Sequence, residues 1–222
     1  MKYSSKQISK AGEIITTSSD LIAVAEAVSK VNEWREQHLP VIELVMNQIQ
    51  SLFSKNGINL VFSSYRLKRM TSIQYKLDLN PDMRLGGMQD IAGGRFVFSD
   101  VTVMRSAYSL LIKEPLNQLE IVKTDDYVDE KPKTSGYRSV HIVYKYHSFN
   151  DEDWDGMKVE IQLRTKLQHS WAMAVETAGL VTNTAMKSGQ GSDEWQEFFS
   201  NNQLSVCNEG RHYFNTILLP RN

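Results

Sequence analysis

The sequence predicts an α/β or α+β domain, in which a mixed β-sheet of about five strands is flanked by helices and further helices lie near both termini. After Gly57, short runs rich in β-branched and aromatic residues alternate with segments of helical periodicity. The chain has 222 residues, 41% of them hydrophobic and 23% charged, so it can bury a core without disulfides. Its single cysteine, Cys207, excludes a disulfide framework within the chain and a zinc site built from cysteines.

The N-terminal part (1–57) is predicted to be a helical segment with two amphipathic helices. Ser19 or Asp20 suits the N-cap of the first helix, because either side chain can accept a hydrogen bond from a free backbone N–H group. Pro40 suits the first turn of the second helix, where its missing N–H costs no hydrogen bond, and Gly57 is a suitable stop. The spacing of the apolar residues predicts that both helices pack against the rest of the protein.

Residues 58–190 are predicted to form the core domain. Strands are expected at 58–65, 93–100, 118–123, 138–146 and 157–163, and helices at 72–79, 102–113 and 165–180. Residues 191–222 are predicted to begin as a helix capped by Ser192 and to end in a tail whose apolar residues have no evident partner.

Charge and hydropathy argue against two classes of protein. With 25 basic and 26 acidic residues the formal net charge is −1, whereas a protein that coats nucleic acid needs a basic surface. No apolar run approaches the roughly 18 residues of a membrane span, and the N-terminus lacks the apolar core of a signal peptide. A cytoplasmic protein without a membrane partner is therefore expected.

The strand at 157–163 is predicted to expose two polar side chains together. Its alternate apolar residues face the core, so Glu160 and Gln162 project from the opposite face. If the strand at 138–146 pairs with it, His141 joins Glu160 on that polar face. The alternative is a half-solvated sheet face with a structural histidine.

The loop KPKTSGYRS is a candidate for nucleotide binding. It places Lys133, Tyr137 and Arg138 around the flexible Gly136, which offers cations for phosphate and an aromatic face for a base. The same composition is compatible with an ordinary surface turn.

Further charged residues follow the first predicted strand. Arg66 and Lys68 are two residues apart at its end and therefore point to one side, and Lys76 follows on the next helix. Asp90 precedes a tight glycine turn that leads to Arg95 in the second strand. Several cations and carboxylates within one domain indicate phosphoryl chemistry.

Mg²⁺ is the expected cofactor. It commonly takes one or two carboxylates together with substrate phosphates, and Asp90 and Glu160 are the candidate pair.

Four segments resemble the synthetase domain of the RelA/SpoT alarmone synthetases, in the same order and spacing over about residues 58–180: YRLKRMTSIQYKL, MQDIAGGRFVF, DYVDEKPKTSGYRSVHIVYKY and VEIQLRTKLQHSWAMAVE. The resemblance implies a nucleotidyltransferase-like synthetase fold. It also implies an enzyme that transfers the β,γ-pyrophosphate of ATP to a ribose 3′-hydroxyl, usually of GDP or GTP, to make (p)ppGpp. No His-Asp dipeptide occurs, so the hydrolase domain of the long bifunctional members is not expected.

The resemblance also implies a role for each matching residue on the ATP side. Arg66 and Arg95 match the arginines that sandwich the adenine, and Lys68 and Lys76 match the residues that hold the ATP phosphates.

On the acceptor side, Asp90 and Glu160 match the carboxylates that hold Mg²⁺, and the glutamate is a candidate to activate the 3′-hydroxyl. Tyr137 matches the tyrosine that stacks on the acceptor base. The remaining matches flank the acceptor phosphates or shape the acceptor site, and they are Lys133, Arg138, His141 and Gln162.

Two positions depart from the family pattern. Asp125 stands where a lysine is common, and Glu176-Thr177 stands where a Glu-His pair is common. Both changes leave the acceptor open between a guanosine nucleotide, an adenosine nucleotide and the 3′-CCA end of tRNA, the acceptor of some toxic family members. Partner candidates are an antitoxin protein or a second copy of the chain. A further alternative is an inactive module that binds nucleotide or protein.

Overall fold

The computed structural model describes residues 2–149 and 154–182, together with Glu194, Trp195 and Glu197. Six α-helices lie in these ranges: α1 (Ser5–Thr17), α2 (Leu21–Glu36), α3 (Leu39–Lys55), α4 (Met70–Leu79), α5 (Val101–Lys113) and α6 (Lys166–Thr182). Five strands accompany them: β1 (Phe62–Leu67), β2 (Ala92–Phe98), β3 (Leu119–Asp126), β4 (Val140–Tyr146) and β5 (Lys158–Thr165). Within the described residues, none of the helices is long and apolar enough to cross a membrane.

The strands form one mixed sheet in the order β1-β2-β5-β4-β3. Neighbouring strands run antiparallel except for β2 and β5, which are parallel. The predicted fold class, a mixed five-stranded sheet flanked by helices, is therefore confirmed. The predicted C-terminal helix and tail at 191–222 lie almost entirely outside the described residues.

One face of the sheet is covered by α3 and α5 and forms the main hydrophobic core. Val159, Ile161 and Leu163 of β5 are fully buried there, as the alternation predicts. Gly94 of β2 lets α3 approach the sheet closely, because a Cβ at this position would overlap the sulfur of Met46 and lie 2.7 Å from Ile161 Cδ1. The opposite face of the sheet carries the polar side chains.

A second core joins α1 and α2 to α4 and to the segment that leads into β2. The two predicted N-terminal helices are confirmed as α2 and α3, with Asp20 as N-cap of the former. The prediction omits α1, which begins with a capping box in which Ser4 and Gln7 exchange hydrogen bonds. That Ser-x-x-Gln pattern was the available sequence signal.

The first strand begins later than predicted, at Phe62 instead of residue 58. The residues after α3 form the C-terminal cap of that helix. Gly57 has a left-handed φ of 68°, and the Ile58 N–H donates to the Phe53 carbonyl at 3.0 Å. Strand pairing with β2 starts only beyond this turn.

The helix after β5 begins where predicted. Thr165 and Gln168 form a reciprocal pair, in which each side chain accepts a hydrogen bond from the other residue's backbone N–H. This cap positions α6 beside the polar face of the sheet, where Trp171, Ala172 and Val175 pack with Tyr137 in a third, smaller cluster.

The buried histidine between α2 and α3 makes stability depend on pH. His38 is 3% exposed, donates from Nδ1 to the Trp34 carbonyl at 3.0 Å, and has its pKa lowered by burial to about 4. The unfolded chain binds a proton below about pH 6.5, whereas the folded chain does not until about pH 4. We therefore expect up to about 3 kcal/mol of folding free energy to be lost as pH falls through that window.

Urea denaturation of the wild type and of His38→Asn between about pH 4.5 and 7.5 measures this loss. Asparagine does not titrate and its amide can still donate to the Trp34 carbonyl, so its stability should fall less steeply with acid. The comparison variant is His147→Asn, at a half-buried histidine that contacts Glu120 at 2.8 Å; because this histidine has a carboxylate partner, its removal should not flatten the slope. Equal slopes in the wild type and His38→Asn would contradict the assignment.

Candidate active site

A polar pocket opens on the sheet face opposite α3 and α5, at the ends of β1, β2 and β5. Gly93 forms part of its floor, because a Cβ at this position would meet nothing nearer than the Glu160 carbonyl oxygen at 3.9 Å. The pocket brings together six of the residues singled out in the sequence. Its lining is Ser64, Tyr65, Arg66, Lys68, Asp90, Gly93, Gly94, Arg95, Glu160 and Gln162.

Asp90 is held between two lysines that come from different elements. Lys68 Nζ, just after β1, lies 2.9 Å from Asp90 Oδ2, and Lys76 Nζ, on α4, lies 3.0 Å from both carboxylate oxygens. Burial raises the pKa of the Asp90 carboxyl, but the two ammonium groups outweigh burial and the pKa lies below its usual value. The carboxylate is therefore ionised at neutral pH, and both lysines point to the same place.

Arginine side chains concentrate positive charge at the same pocket. Burial and the neighbouring charges of Arg164 and Arg66 lower the pKa of Arg95. Like charges held this close repel each other, so a bound polyanion would relieve the repulsion.

Glu160 has both of its carboxylate oxygens engaged. Gln162 Nε2 donates to Oε1 at 2.6 Å, and His141 Nδ1 lies 3.3 Å from Oε2. Burial raises the pKa of the Glu160 carboxyl, but the contacts with His141 and Gln162 outweigh it and lower the pKa to about 2. The expected sharing of a polar face by His141 and Glu160 is found, because β4 and β5 pair antiparallel.

These residues belong to a closed ring of five hydrogen-bonded side chains. From Glu160 the ring runs through His141 to Tyr137, whose hydroxyl lies 2.7 Å from His141 Nε2. Arg164 Nη2 then lies 2.5 Å from the Tyr137 hydroxyl and 2.7 Å from Gln162 Oε1, and Gln162 returns to Glu160. Arg164 is not among the predicted site residues, although its place two residues after Gln162 on the same strand was the available signal.

The loop before β4 lies against this ring of side chains. Tyr137 is 7% exposed, with its ring edge-on to His141 and Trp171. Lys133 Nζ lies 5.3 Å from the centroid of that ring and 4.4 Å from the ring of Tyr127. Arg138 donates from Nη1 to the carbonyls of Lys133 and Tyr137, so it braces its own loop in this structure.

Asp125, one of the two departures, lies on β3 directly opposite His141 of β4. It pairs with Lys123 at 2.6 Å and with Lys131 at 3.3 Å, and these pairs lower its pKa against the raising effect of burial. Asp125 therefore neutralises two cations near the loop before β4.

The donor set of the pocket fits a magnesium ion. Asp90 and Glu160 are both ionised carboxylates lining one cavity, and Mg²⁺ typically combines such carboxylates with phosphate oxygens. Among the described residues, no group of three or more histidine, cysteine or acidic side chains could hold a metal by itself. Phosphate oxygens of a substrate would have to complete the coordination.

Comparisons with known proteins relate the chain to one family. A family model described as a region found in RelA / SpoT proteins matches residues 65–180, just over half of the chain. GTP pyrophosphokinase YwaC of Bacillus subtilis is 27% identical over 172 residues, which cover 71% of this chain and 77% of that protein.

Solved structures show the same fold. Small alarmone synthetase 1 from Bacillus subtilis superposes with a TM-score of 0.66 at 22% identity, covering 80% of this chain and 90% of that one. Its complex with its product pppGpp gives a TM-score of 0.64, also at 22% identity, over 78% and 87% of the two chains. The expected enzyme class, a pyrophosphotransferase, is confirmed with the family assignment: the chain belongs to the RelA/SpoT family.

Proposed function

We propose that the protein is an ATP-dependent pyrophosphokinase that transfers the β,γ-pyrophosphate of ATP to the ribose 3′-hydroxyl of GDP or GTP. The observation that carries the proposal is Asp90, an ionised carboxylate held by Lys68 and Lys76 in the pocket that also contains Glu160. Cations and carboxylates in one cavity suit a magnesium-bound triphosphate. The guanosine acceptor is carried over from the relative named GTP pyrophosphokinase and from the related synthetase whose product is pppGpp.

On the donor side, Arg66 and Arg95 would enclose the adenine, since planar guanidinium groups stack well on aromatic rings. The phosphates of ATP would draw Lys68 and Lys76 away from Asp90 and leave its oxygens free. Bound Mg²⁺, held by Asp90 and Glu160, would neutralise the charge that develops on the phosphates.

On the acceptor side, Glu160 would accept the proton of the 3′-hydroxyl while its oxygen attacks the β-phosphorus. The new bond joins the 3′-oxygen to the β-phosphorus, and the bond between that phosphorus and the α,β-bridging oxygen breaks, so AMP leaves. His141 and Gln162 hold the carboxylate in position for this step. Little covalent work by the protein is needed beyond positioning and charge neutralisation.

Tyr137 would stack on the acceptor base, with Lys133 and Arg138 near the acceptor phosphates. Because Lys133 and Arg164 both lie about 5 Å from the centre of the Tyr137 ring, stacking requires the Lys133 side chain to leave that ring. An arriving acceptor phosphate offers Lys133 a better partner than a ring face.

The decisive assay follows label from ATP carrying ³²P at the γ-position, with Mg²⁺ and with GDP, GTP, AMP, ATP and deacylated tRNA offered in parallel. Label on GDP or GTP is the expected result. Label on tRNA alone would overturn the guanosine proposal in favour of a translation-blocking activity. Label on AMP or ATP alone would assign an adenosine alarmone, and no label on any acceptor would favour the inactive binding module.

Removing the charge of Glu160 should abolish transfer. Glu160→Gln keeps the shape of the side chain but can neither bind a metal strongly nor accept the proton, so we expect turnover to fall by about 10²-fold or more. Urea denaturation checks that the fold is retained, and Glu120→Gln on the surface of β3 is the matched control with wild-type turnover. Wild-type transfer by Glu160→Gln would contradict both roles of the glutamate.

Substitutions at two adjacent glycines should distinguish a loss of nucleotide binding from a loss of folding stability. Gly93→Val would project a side chain from the floor into the open pocket. We therefore expect binding of the ATP analogue AMPCPP to weaken by about tenfold or more, with little loss of folding stability. Gly94→Val would instead collide with Met46 and Ile161 and cost about 1–3 kcal/mol of folding free energy.

Calorimetric binding and urea denaturation of both variants measure the difference. Weak AMPCPP binding by a Gly93→Val variant that is as stable as the wild type would support nucleotide binding over this floor. If Gly93→Val binds AMPCPP like the wild type, the nucleotide does not lie over this floor.

A further inference from the structure

Arg164 is a buried arginine whose guanidinium has no acidic partner among the described residues. It lies near the end of β5, is 2% exposed, and within the described part of the chain no carboxylate is in ion-pair distance of its guanidinium. One of its nitrogens, Nη1, is buried and has no hydrogen-bond partner in the part of the chain that the structure describes. Burying an unpaired guanidinium is costly, and a buried aliphatic side chain would pack here at lower cost. The arginine therefore serves something other than stability.

Its contacts identify the groups on which it acts. From the single nitrogen Nη2 it reaches the Tyr137 hydroxyl at 2.5 Å and the Gln162 Oε1 at 2.7 Å. Its Cζ also lies 5.1 Å from the centre of the Tyr137 ring. One guanidinium thus contacts both Tyr137, in the loop before β4, and Gln162, beside Glu160.

The contact with Gln162 fixes which way the amide points. Because an arginine only donates, it selects the carbonyl oxygen of Gln162 and turns the Nε2 group toward Glu160, where it donates at 2.6 Å. On the other side His141 connects the second oxygen of Glu160 to the Tyr137 hydroxyl. Arg164 thereby connects the two branches that hold Glu160.

We propose that Arg164 is a positioning residue, which orients Glu160 through the Gln162 amide and holds the Tyr137 hydroxyl at the same time. The proposal rests on the proposed function, because it assigns Glu160 and Tyr137 to the acceptor side of the transfer reaction. Arg164 itself need not touch either substrate. A misplacement of about 1 Å at a reacting group can lower the rate about 10²-fold, so loss of these positioning contacts should measurably lower kcat.

The first test is a kinetic comparison of Arg164→Lys with the wild type. Lysine keeps the charge but loses the planar fork, so we expect kcat to fall by about 30-fold or more while KM for ATP changes by less than about twofold. Lys158→Met, on the same strand and outside the site, is the control and should leave both values unchanged. Wild-type kcat in a folded Arg164→Lys would overturn the proposal.

A double variant separates positioning from a general structural role. Tyr137→Phe removes only the hydroxyl that Arg164 holds, so the effects of Tyr137→Phe and Arg164→Lys on kcat should be far from additive. Multiplicative effects of the two changes would mean that they act independently, which contradicts the shared network.

A readout without turnover keeps the proposal testable even if the acceptor is not a guanosine nucleotide. The side-chain amide of Gln162, labelled with ¹⁵N and assigned by its loss in Gln162→Met, should give a shifted, slowly exchanging NMR signal in the wild type. In Arg164→Lys the signal should move to the position of a free glutamine amide. An unchanged Gln162 signal would overturn the positioning role, whereas failure of transfer by the wild type would overturn only the proposed function.

Discussion

The parallel pairing of β2 with β5 is the constraint on which the site depends. Its register sets Gly93 beside Glu160 and Arg95 beside Gln162, so residues from distant parts of the chain face the same pocket at strand spacing. The alternation that buries Ala92 and Ile161 against α3 and α5 directs these polar side chains to the opposite face. A shift of one residue in this pairing would bury the charges and expose the core, so the packing that stabilises the sheet also specifies the site.

Both carboxylates of the pocket are held by neighbouring side chains in a way that suits an exchange of partners. Asp90 forms ion pairs with Lys68 and Lys76, whereas Glu160 contacts Gln162 and His141. A half-buried carboxylate that pairs with two ammonium groups is stable without ligand, yet each lysine could form an equivalent ion pair with a phosphate oxygen. The salt bridges therefore keep the pocket folded while preserving the groups that a nucleotide would use.

The features of the fold and site that depend on local periodicity could be predicted from the sequence, whereas those that depend on tertiary contacts could not. The face of Glu160 and Gln162 followed from alternation in one strand, and the nearness of His141 followed once its strand was assumed to pair. The same alternation places Arg164 on that face, but its role could not be predicted, because the role arises only when Tyr137 folds over the end of β5. Equally, β1 began late because the backbone of Ile58 completes the preceding helix, which strand propensity does not reveal.

The N-terminal helices support the part of the pocket that holds Asp90, although none of their residues lines the pocket. Ile73 and Leu77 on α4 pack into the core made with α1 and α2, and between them along the helix Lys76 turns toward Asp90. Ile91, the next residue after Asp90, is buried in that same core. Both partners of this ion pair are thus anchored by one hydrophobic cluster, whereas Glu160 is anchored by the main core of the sheet. The pocket lies where the two cores meet, so the distance between Asp90 and Glu160, the pair proposed to share a metal ion, depends on how α4 is held by the helices behind it.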